Sequence, residues 1–336
     1  MYTAIVTGAT GFIGKAFIEY LLEKDYQVYG ISRNTENLKK LYQSNLICIE
    51  ADFSAYETLN QKIDHADIFY HFAWEGVYGD KAKDPKIQLK NTEATCEALL
   101  QAVKIGCNKF VFAGTIAELE ILEYLDRKKV VPRKNCIYAA AKLNTEIMCK
   151  ILAKSYGIAF NTGLLANTIG PGDTSHRSTN TILSKFLKGE VPQLVKGEGL
   201  NDWLYIKDAV RLLEAIGQEG KNMKTYYIGH TELWPLKKII TRAKDIVAPE
   251  LDLKFGTMPD QFLTNYSYLS TYELYEDTGC KAEYDFDKSV QETAEWLQSQ
   301  PPFVGSYPPP PPRDEILKAY ILIKHLCYAA FLKEAA

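Results

Sequence analysis

A chain of 336 residues with 46% hydrophobic composition is long enough for two domains and for a substantial buried core. Its 39 basic and 42 acidic residues leave a net charge of −3 with both signs interspersed, which removes any electrostatic case for nucleic acid or an anionic membrane and points to a small-molecule partner. Cys48, Cys96, Cys107, Cys136, Cys149, Cys280 and Cys327 lack paired short spacings, and Tyr2–Val6 opens the chain with no basic or long apolar stretch; together these predict free thiols, no metal site and a cytoplasmic location.

In chain order, β-branched and aromatic runs at Thr3–Thr7, Gln27–Ser32, Leu46–Glu50, Ile68–Phe72, Lys109–Ala113 and Ala159–Leu165 read as strands. Helical segments begin between them near Gly11, Asn34, Ala55, Pro85 and Ala139. Alternation at this spacing predicts an α/β fold, a doubly wound parallel sheet with both faces covered. Residues 1–166 form this domain, joined by returning segments from the C-terminal half. Residues 167–300 loosen into Gly- and Pro-containing loops and short elements, which predicts a smaller mixed α/β lobe over the carboxyl ends of the strands. Residues 301–313, with the run Pro308–Pro312, read as a stiff spacer, and residues 314–336 as a C-terminal helix. That helix packs on its own protein or a symmetry mate, is an appended segment, or docks a partner; its pattern does not separate these.

Thr7-Gly8-Ala9-Thr10-Gly11-Phe12-Ile13-Gly14 follows the first strand and opens a helix. Gly8 permits a tight turn, Gly11 lets backbone approach a pyrophosphate, Gly14 allows close helix–strand packing, and the helix start offers free N–H groups to phosphate oxygens. A dinucleotide cofactor follows. Where NAD-binding chains carry an acidic residue at the end of the second strand, this chain has Ser32 and Arg33, a hydroxyl and a guanidinium suited to a 2′-phosphate. NADP(H) is thus preferred, with NAD(H) as the alternative. Asp52 and Phe53 are placed near the adenine, and Phe72, Ala73 and Trp74, after His71, along the dinucleotide's centre.

Tyr138 and Lys142, four residues apart, share one face of a helix. A free phenol titrates near 10, too high for proton transfer at neutral pH, and a neighbouring ammonium favours the phenolate. Thr115, ending the preceding strand, adds a hydroxyl able to donate to a substrate carbonyl or alkoxide.

Thr7–Gly14, Asp52, Asn91, Thr115, Tyr138 with Lys142, Asn167-Thr168-Ile169-Gly170-Pro171-Gly172 and Asp202–Asp208 together resemble the extended short-chain dehydrogenase/reductase family, in its nucleotide-sugar epimerase, dehydratase and reductase branch. The similarity spans about residues 1–300 and implies a Rossmann-type fold. It also implies Thr115, Tyr138 and Lys142 as the catalytic trio, Lys142 on the nicotinamide ribose, Asn167 on substrate, and a homodimer through the helices near Pro85 and Tyr138. Dehydratases of that family carry an acidic pair after the threonine, where this chain has Ile116 and Ala117, so 4,6-dehydration is not expected. Leu164 and Asn201 replace two arginines common in the branch, and Arg177 is the substitute assigned to substrate, with Lys185, Lys188 and Lys196 as others. The expectation is an NADP-dependent reductase of a nucleotide-activated 4-keto-6-deoxy sugar. A nucleotide-sugar 4-epimerase, a reductase of a non-sugar ketone and a noncatalytic NADP-sensing protein remain the alternatives.

Overall fold

The computed structural model describes residues 2–41, 43–125, 136–259, 266 and 269–301. Strands β1 (Thr3–Thr7), β2 (Gln27–Ser32), β3 (Leu46–Glu50), β4 (Ile68–His71), β5 (Lys109–Thr115), β6 (Ala159–Leu165) and, from the C-terminal half, β10 (Thr225–Ile228) form one seven-stranded sheet in the order β10-β6-β5-β4-β1-β2-β3. Every pairing in it is parallel. Between them in the chain lie α1 (Phe12–Glu23), α2 (Glu36–Lys39), α3 (Pro85–Ile105), α4 (Glu118–Leu125), α5 (Cys136–Tyr156), α6 (Ser178–Leu187) and α7 (Ile206–Glu219).

The strands are doubly buried, and their side chains sort by alternation. Ala4 and Val6 of β1 with Val111 of β5 join Phe17, Leu21, Leu213 and Ile216 of α1 and α7 on one face. Ile5, Phe110 and Phe112 join Ala98, Leu99, Cys149 and Ala153 of α3 and α5 on the other. The doubly wound sheet is therefore as expected, and its strand order reverses beside β1 and β4, opening a crevice at their carboxyl ends.

The smaller elements are β7 (Asn167–Ile169) parallel to β9 (Trp203–Tyr205), β8 (Leu200–Asn201) antiparallel to β11 (Trp234–Pro235), and α8 (Leu236–Val247), α9 (Tyr272–Thr278) and α10 (Phe286–Ser299). Residues 1–300 make one compact unit. Three local expectations shift. β5 runs on to Thr115, pairing it with Leu165. The helix expected near Ala139 already includes Cys136. The one near Ala55 is a 3-10 helix, Phe53–Gln61, because Asp52 accepts the Ser54 N–H at its start and Tyr56 and Leu59, three apart, are the buried pair. The spacer and terminal helix expected over 301–336 lie outside the described residues beyond Pro301. No helix among the described residues is long and apolar enough to cross a membrane.

Candidate functional site

The glycine turn is held by contacts that tolerate no side chain. Gly8 has φ +67°, and a Cβ there would lie 2.7 Å from the Ala73 nitrogen; one on Gly14 would lie 2.2 Å from the Gly8 carbonyl oxygen. Gly11 is extended at the start of α1 with no side chain capping the helix, and Thr10 and Gly11 are exposed. The first amides of α1 thus face open space at the crevice, the arrangement an anionic pyrophosphate requires. Phe12 and Ile13 follow, half-buried.

Thr10 Oγ1 lies 2.6 Å from Ser32 Oγ, joining the turn to the end of β2. Arg33 is exposed beside it, and its charge reaches Tyr56 and Glu75, so it faces the crevice. Asp52 is exposed, and its bonds from the Ser54 hydroxyl and amide hold its carboxyl below the usual range. Phe53 packs edge-on to Tyr56.

His71 turns inward: Thr7 Oγ1 lies 2.9 Å from Nδ1 and Thr95 Oγ1 3.0 Å from Nε2, and burial first, then Lys142, depress its pKa to about 3. It is a neutral core histidine. Phe72 leans edge-on against Phe17, and the Ala73 N–H points at Thr7 Oγ1. Trp74 donates from Nε1 to Gln88 Oε1 at 2.8 Å. Asn91 grips the next residue from both sides, accepting the Glu75 N–H at 2.7 Å and donating to its carbonyl at 2.8 Å. Two polar side chains of α3 therefore fix the loop that carries Trp74 and Tyr78.

Thr115, Tyr138 and Lys142 come together at the carboxyl end of β5. The Thr115 hydroxyl acts on the Tyr138 phenol, lowering its pKa, and accepts the Ala117 N–H at 3.3 Å. Lys142 donates to the Ala113 carbonyl at 2.8 Å, and its ammonium sits 3.9 Å from the Trp74 ring centroid and 4.6 Å from that of Phe112. Burial drives the Lys142 pKa down, opposed by the charge of Glu118. The Tyr138 phenol is held above the ordinary tyrosine range, first by burial and then by the Tyr78 phenol; Thr115 and the Arg177 charge pull the other way. The Arg177 charge favours phenolate here, and the Lys142 ammonium is turned to the Ala113 carbonyl and the rings.

Arg177 precedes α6 and pairs through Nε with Asp173 at 2.6 Å. Its guanidinium stacks 5.4 Å from the Phe12 ring and 5.7 Å from that of Tyr78, spanning the glycine turn and the Trp74 loop. Asn167 donates to Asn201 Oδ1 at 3.0 Å. Asn201 also lines a cavity of about 340 Å³ with His230, Thr231, Trp234, Lys281 and Phe286. Leu164, by contrast, is a core residue.

Three members of this site escape a reading of the sequence. Tyr78 sits in a loop whose course Gln88 and Asn91, from α3, help to fix. His230 gathers behind Asn201 only through tertiary structure. Glu118, three residues past Thr115, returns its Oε1 to the Thr115 N–H at 2.8 Å; its place in a Thr-x-x-Glu spacing is a signal that was there to find.

The family model described as "NAD dependent epimerase/dehydratase family" matches residues 4–229. Among curated proteins, the dTDP-glucose 4,6-dehydratase of Salmonella typhimurium is 22% identical over 350 residues, covering 90% of this chain and 94% of its own length. Among solved structures, the UDP-glucose 4-epimerase of Thermotoga maritima with UDP-glucose aligns with a TM-score of 0.74 at 20% identity, covering 88% of this chain and 98% of that one. The Bordetella bronchiseptica enzyme WbmF, in complex with NAD+ and UDP, aligns with a TM-score of 0.74 at 19% identity, covering 89% and 92%. At these identities the solved structures speak for the fold.

Proposed function

Because this chain belongs to the NAD dependent epimerase/dehydratase family, enzymes of the extended short-chain dehydrogenase type, we propose that it is an NADP-dependent reductase of a nucleotide-activated 4-keto-6-deoxy sugar. One observation carries the choice of reduction over dehydration. Of the two residues after Thr115, Ile116 is buried in the core and Ala117 is apolar, and the next carboxyl, Glu118, is buried and bonded back to the Thr115 amide. None of the three offers a sugar a carboxyl for taking or giving a proton in loss of water.

In this reading Gly8, Thr10, Gly11, Phe12, Ile13 and Gly14 receive the pyrophosphate, Ser32 and Arg33 the 2′-phosphate, Asp52 and Phe53 the adenine, and Phe72, Ala73 and Trp74 the central dinucleotide. The cofactor, when bound, supplies the hydride. Tyr138 gives its phenolic proton to the carbonyl oxygen of the sugar as negative charge develops there, and Thr115 donates a hydrogen bond to that oxygen. Lys142 holds the nicotinamide ribose, and the Arg177 charge makes the phenol easier to deprotonate. Asn167, with Asn201, holds the sugar nucleotide, and the cavity behind Asn201, with aromatic walls from Trp234 and Phe286, the cation of Lys281, and His230 paired to Asp202 beside Glu232, suits the base and ribose of the nucleotide. Exposed Arg33 beside Ser32 supports NADP over NAD. The protein acts as a homodimer through α3 and α5.

The test is consumption of NADPH, followed by its absorbance, with 4-keto-6-deoxy sugars of thymidine, uridine, cytidine and guanosine diphosphate. Turnover on one of the four is expected, and none on any overturns the reading. Protein that purifies with oxidised cofactor tightly bound points instead to a 4-epimerase, which returns the hydride to the carbon it came from.

A further inference from the structure

Helix α5 carries a row of titratable side chains of which the proposed chemistry uses only the first two. Tyr138, Lys142, Glu146 and Lys150 recur every fourth residue, so they stack along one face. Lys142 and Glu146 are 4% and 7% exposed. Lys150 ends the row with an ion pair to Glu146 at 2.6 Å, and the Thr225 hydroxyl of β10 donates to the same carboxylate oxygen. Glu118, from α4 and only 2% exposed, faces both Lys142 and Glu146. Its Oε1 accepts the Thr115 N–H, while its Oε2 meets no hydrogen-bond donor among the described residues.

What confronts Glu118 instead is a second carboxyl, that of Glu146. Two ionised carboxylates facing each other out of water repel and lack a donor between them; a proton taken by one of them removes the repulsion and becomes that donor. We propose that Glu118 and Glu146 share one proton beneath Lys142, and that Glu118 is a positioning residue which fixes the Thr115 backbone and sets the charge on Lys142. This rests on the reading of Thr115 and Lys142 as site residues, and not on the identity of the sugar.

The other groups around the pair leave Lys142 dependent on Glu118. On α5 the pair faces the Tyr138 phenol, the Cys149 thiol and Lys150, the last already engaged with Glu146. From β5 it receives the Thr115 amide, and from β10 the Thr225 hydroxyl. Lys142 itself otherwise meets the Ala113 carbonyl, the rings of Trp74 and Phe112, and neutral His71. Of these groups only the Glu118–Glu146 pair carries negative charge, and Glu146 is already engaged by Lys150 and Thr225, so the charge that Lys142 meets is that of Glu118.

Two near-isosteric variants should therefore move Lys142 in opposite directions. Glu118→Gln keeps an oxygen for the Thr115 N–H but removes the carboxylate, so Lys142 loses its proton at lower pH. Glu146→Gln leaves the charge that the pair shares wholly on Glu118 and adds an amide donor to hold it there, so Lys142 keeps its proton to higher pH. The experiment is an NMR titration of the full chain labelled with [ε-13C]lysine, the Lys142 signal assigned by its loss in Lys142→Met. The midpoint is expected to fall by about one pH unit or more in Glu118→Gln and to rise by a similar amount in Glu146→Gln. Should Glu118→Gln fail to fold, the rise in Glu146→Gln decides alone. An unmoved midpoint, or movement in the same direction in both variants, overturns the proposal. The titration needs no sugar, so opposite shifts in a protein inert toward the ketosugar panel sink the reductase reading and leave the shared proton standing. With an active sugar, the alkaline limb of kcat should follow the same two shifts, whereas a merely structural Glu118 would lower kcat equally at every pH.

Discussion

The Lys142 ammonium rests 3.9 Å from the centroid of the Trp74 indole while it donates to the Ala113 carbonyl. A cation out of water on an indole face gains roughly 2 kcal/mol, so the ring helps Lys142 stay charged where burial works against it. Trp74→Leu is expected to lower kcat/KM about tenfold, and Trp74→Phe, which keeps a ring face, by much less. Equal losses in the two variants would show that the indole only fills space.

Arg33 offers the simplest test of cofactor choice, since it is exposed and its removal leaves the core untouched. A charge-assisted bond to a 2′-phosphate contributes about 1.5–3 kcal/mol, so Arg33→Ala should weaken NADPH binding roughly 10- to 100-fold and leave NADH binding unchanged. Fluorescence titration with both cofactors measures it. Parallel losses for the two would mean that Arg33 does not touch the 2′ position.

The sheet and glycine turn were legible because their causes are local. Doubly buried strands must be apolar throughout, and Gly8 and Gly14 stand where any Cβ meets backbone. Tyr138 and Lys142 were legible from helical spacing and from Thr115 before them. What Lys142 touches was not, because Trp74 lies 68 positions away in the sequence and is held there by Gln88. Glu118 is hidden for a similar reason: an acidic residue at the start of a helix normally reads as a solvated one, and only the packing of α4 on α5 buries it. Arg177 reads from the sequence as a substrate contact, yet its stacking on Phe12 and Tyr78 follows from where three separate segments end.

Gly8→Ala should damage both fold and cofactor binding. The substitution forces an L-residue to φ +67° and drives a methyl to within 2.7 Å of the Ala73 nitrogen. A cost of at least about 2 kcal/mol corresponds to roughly 3 °C or more in Tm for a chain of this size. The loop through Ala73 must also move, so NADPH affinity should fall in the protein that remains folded. A Tm within a degree of the parent would contradict the contact.

His230 links stability to pH. Burial opposes its charge, but the Asp202 carboxylate, 2.7 Å from Nδ1, outweighs burial and raises the imidazole pKa. A raised pKa adds stability that is full below the unfolded value, about 6.5, and is lost as pH climbs through the folded one. In His230→Gln the Asp202 carboxylate keeps the Tyr227 hydroxyl and the backbone N–H of residue 230 as donors. The Tm difference between parent and variant should thus be greatest near pH 5.5 and shrink toward pH 9, about the range over which the pair uncouples. A gap that stays constant with pH would show that the imidazole contributes only as a neutral hydrogen-bonding group.

Arg177 has to be tested together with Asp173, because their side chains are 11% and 3% exposed. Arg177→Ala alone strands a buried carboxylate, at a cost of about 3–5 kcal/mol, and would confuse loss of fold with loss of function. The double variant Arg177→Ala, Asp173→Asn removes both charges and keeps an Oδ1 that can accept the Ser175 N–H. Its Tm should return most of the way to that of the parent. The Tyr138 phenol, however, then lacks the cation that opposes burial and the Tyr78 phenol, so its proton is held still more tightly. For reduction of the ketone the proton must leave in the transition state, and kcat is expected to fall about tenfold at neutral pH. A double variant that melts like the parent and also turns over like it would remove Arg177 from the proton chemistry and leave it a purely structural bridge between Phe12 and Tyr78.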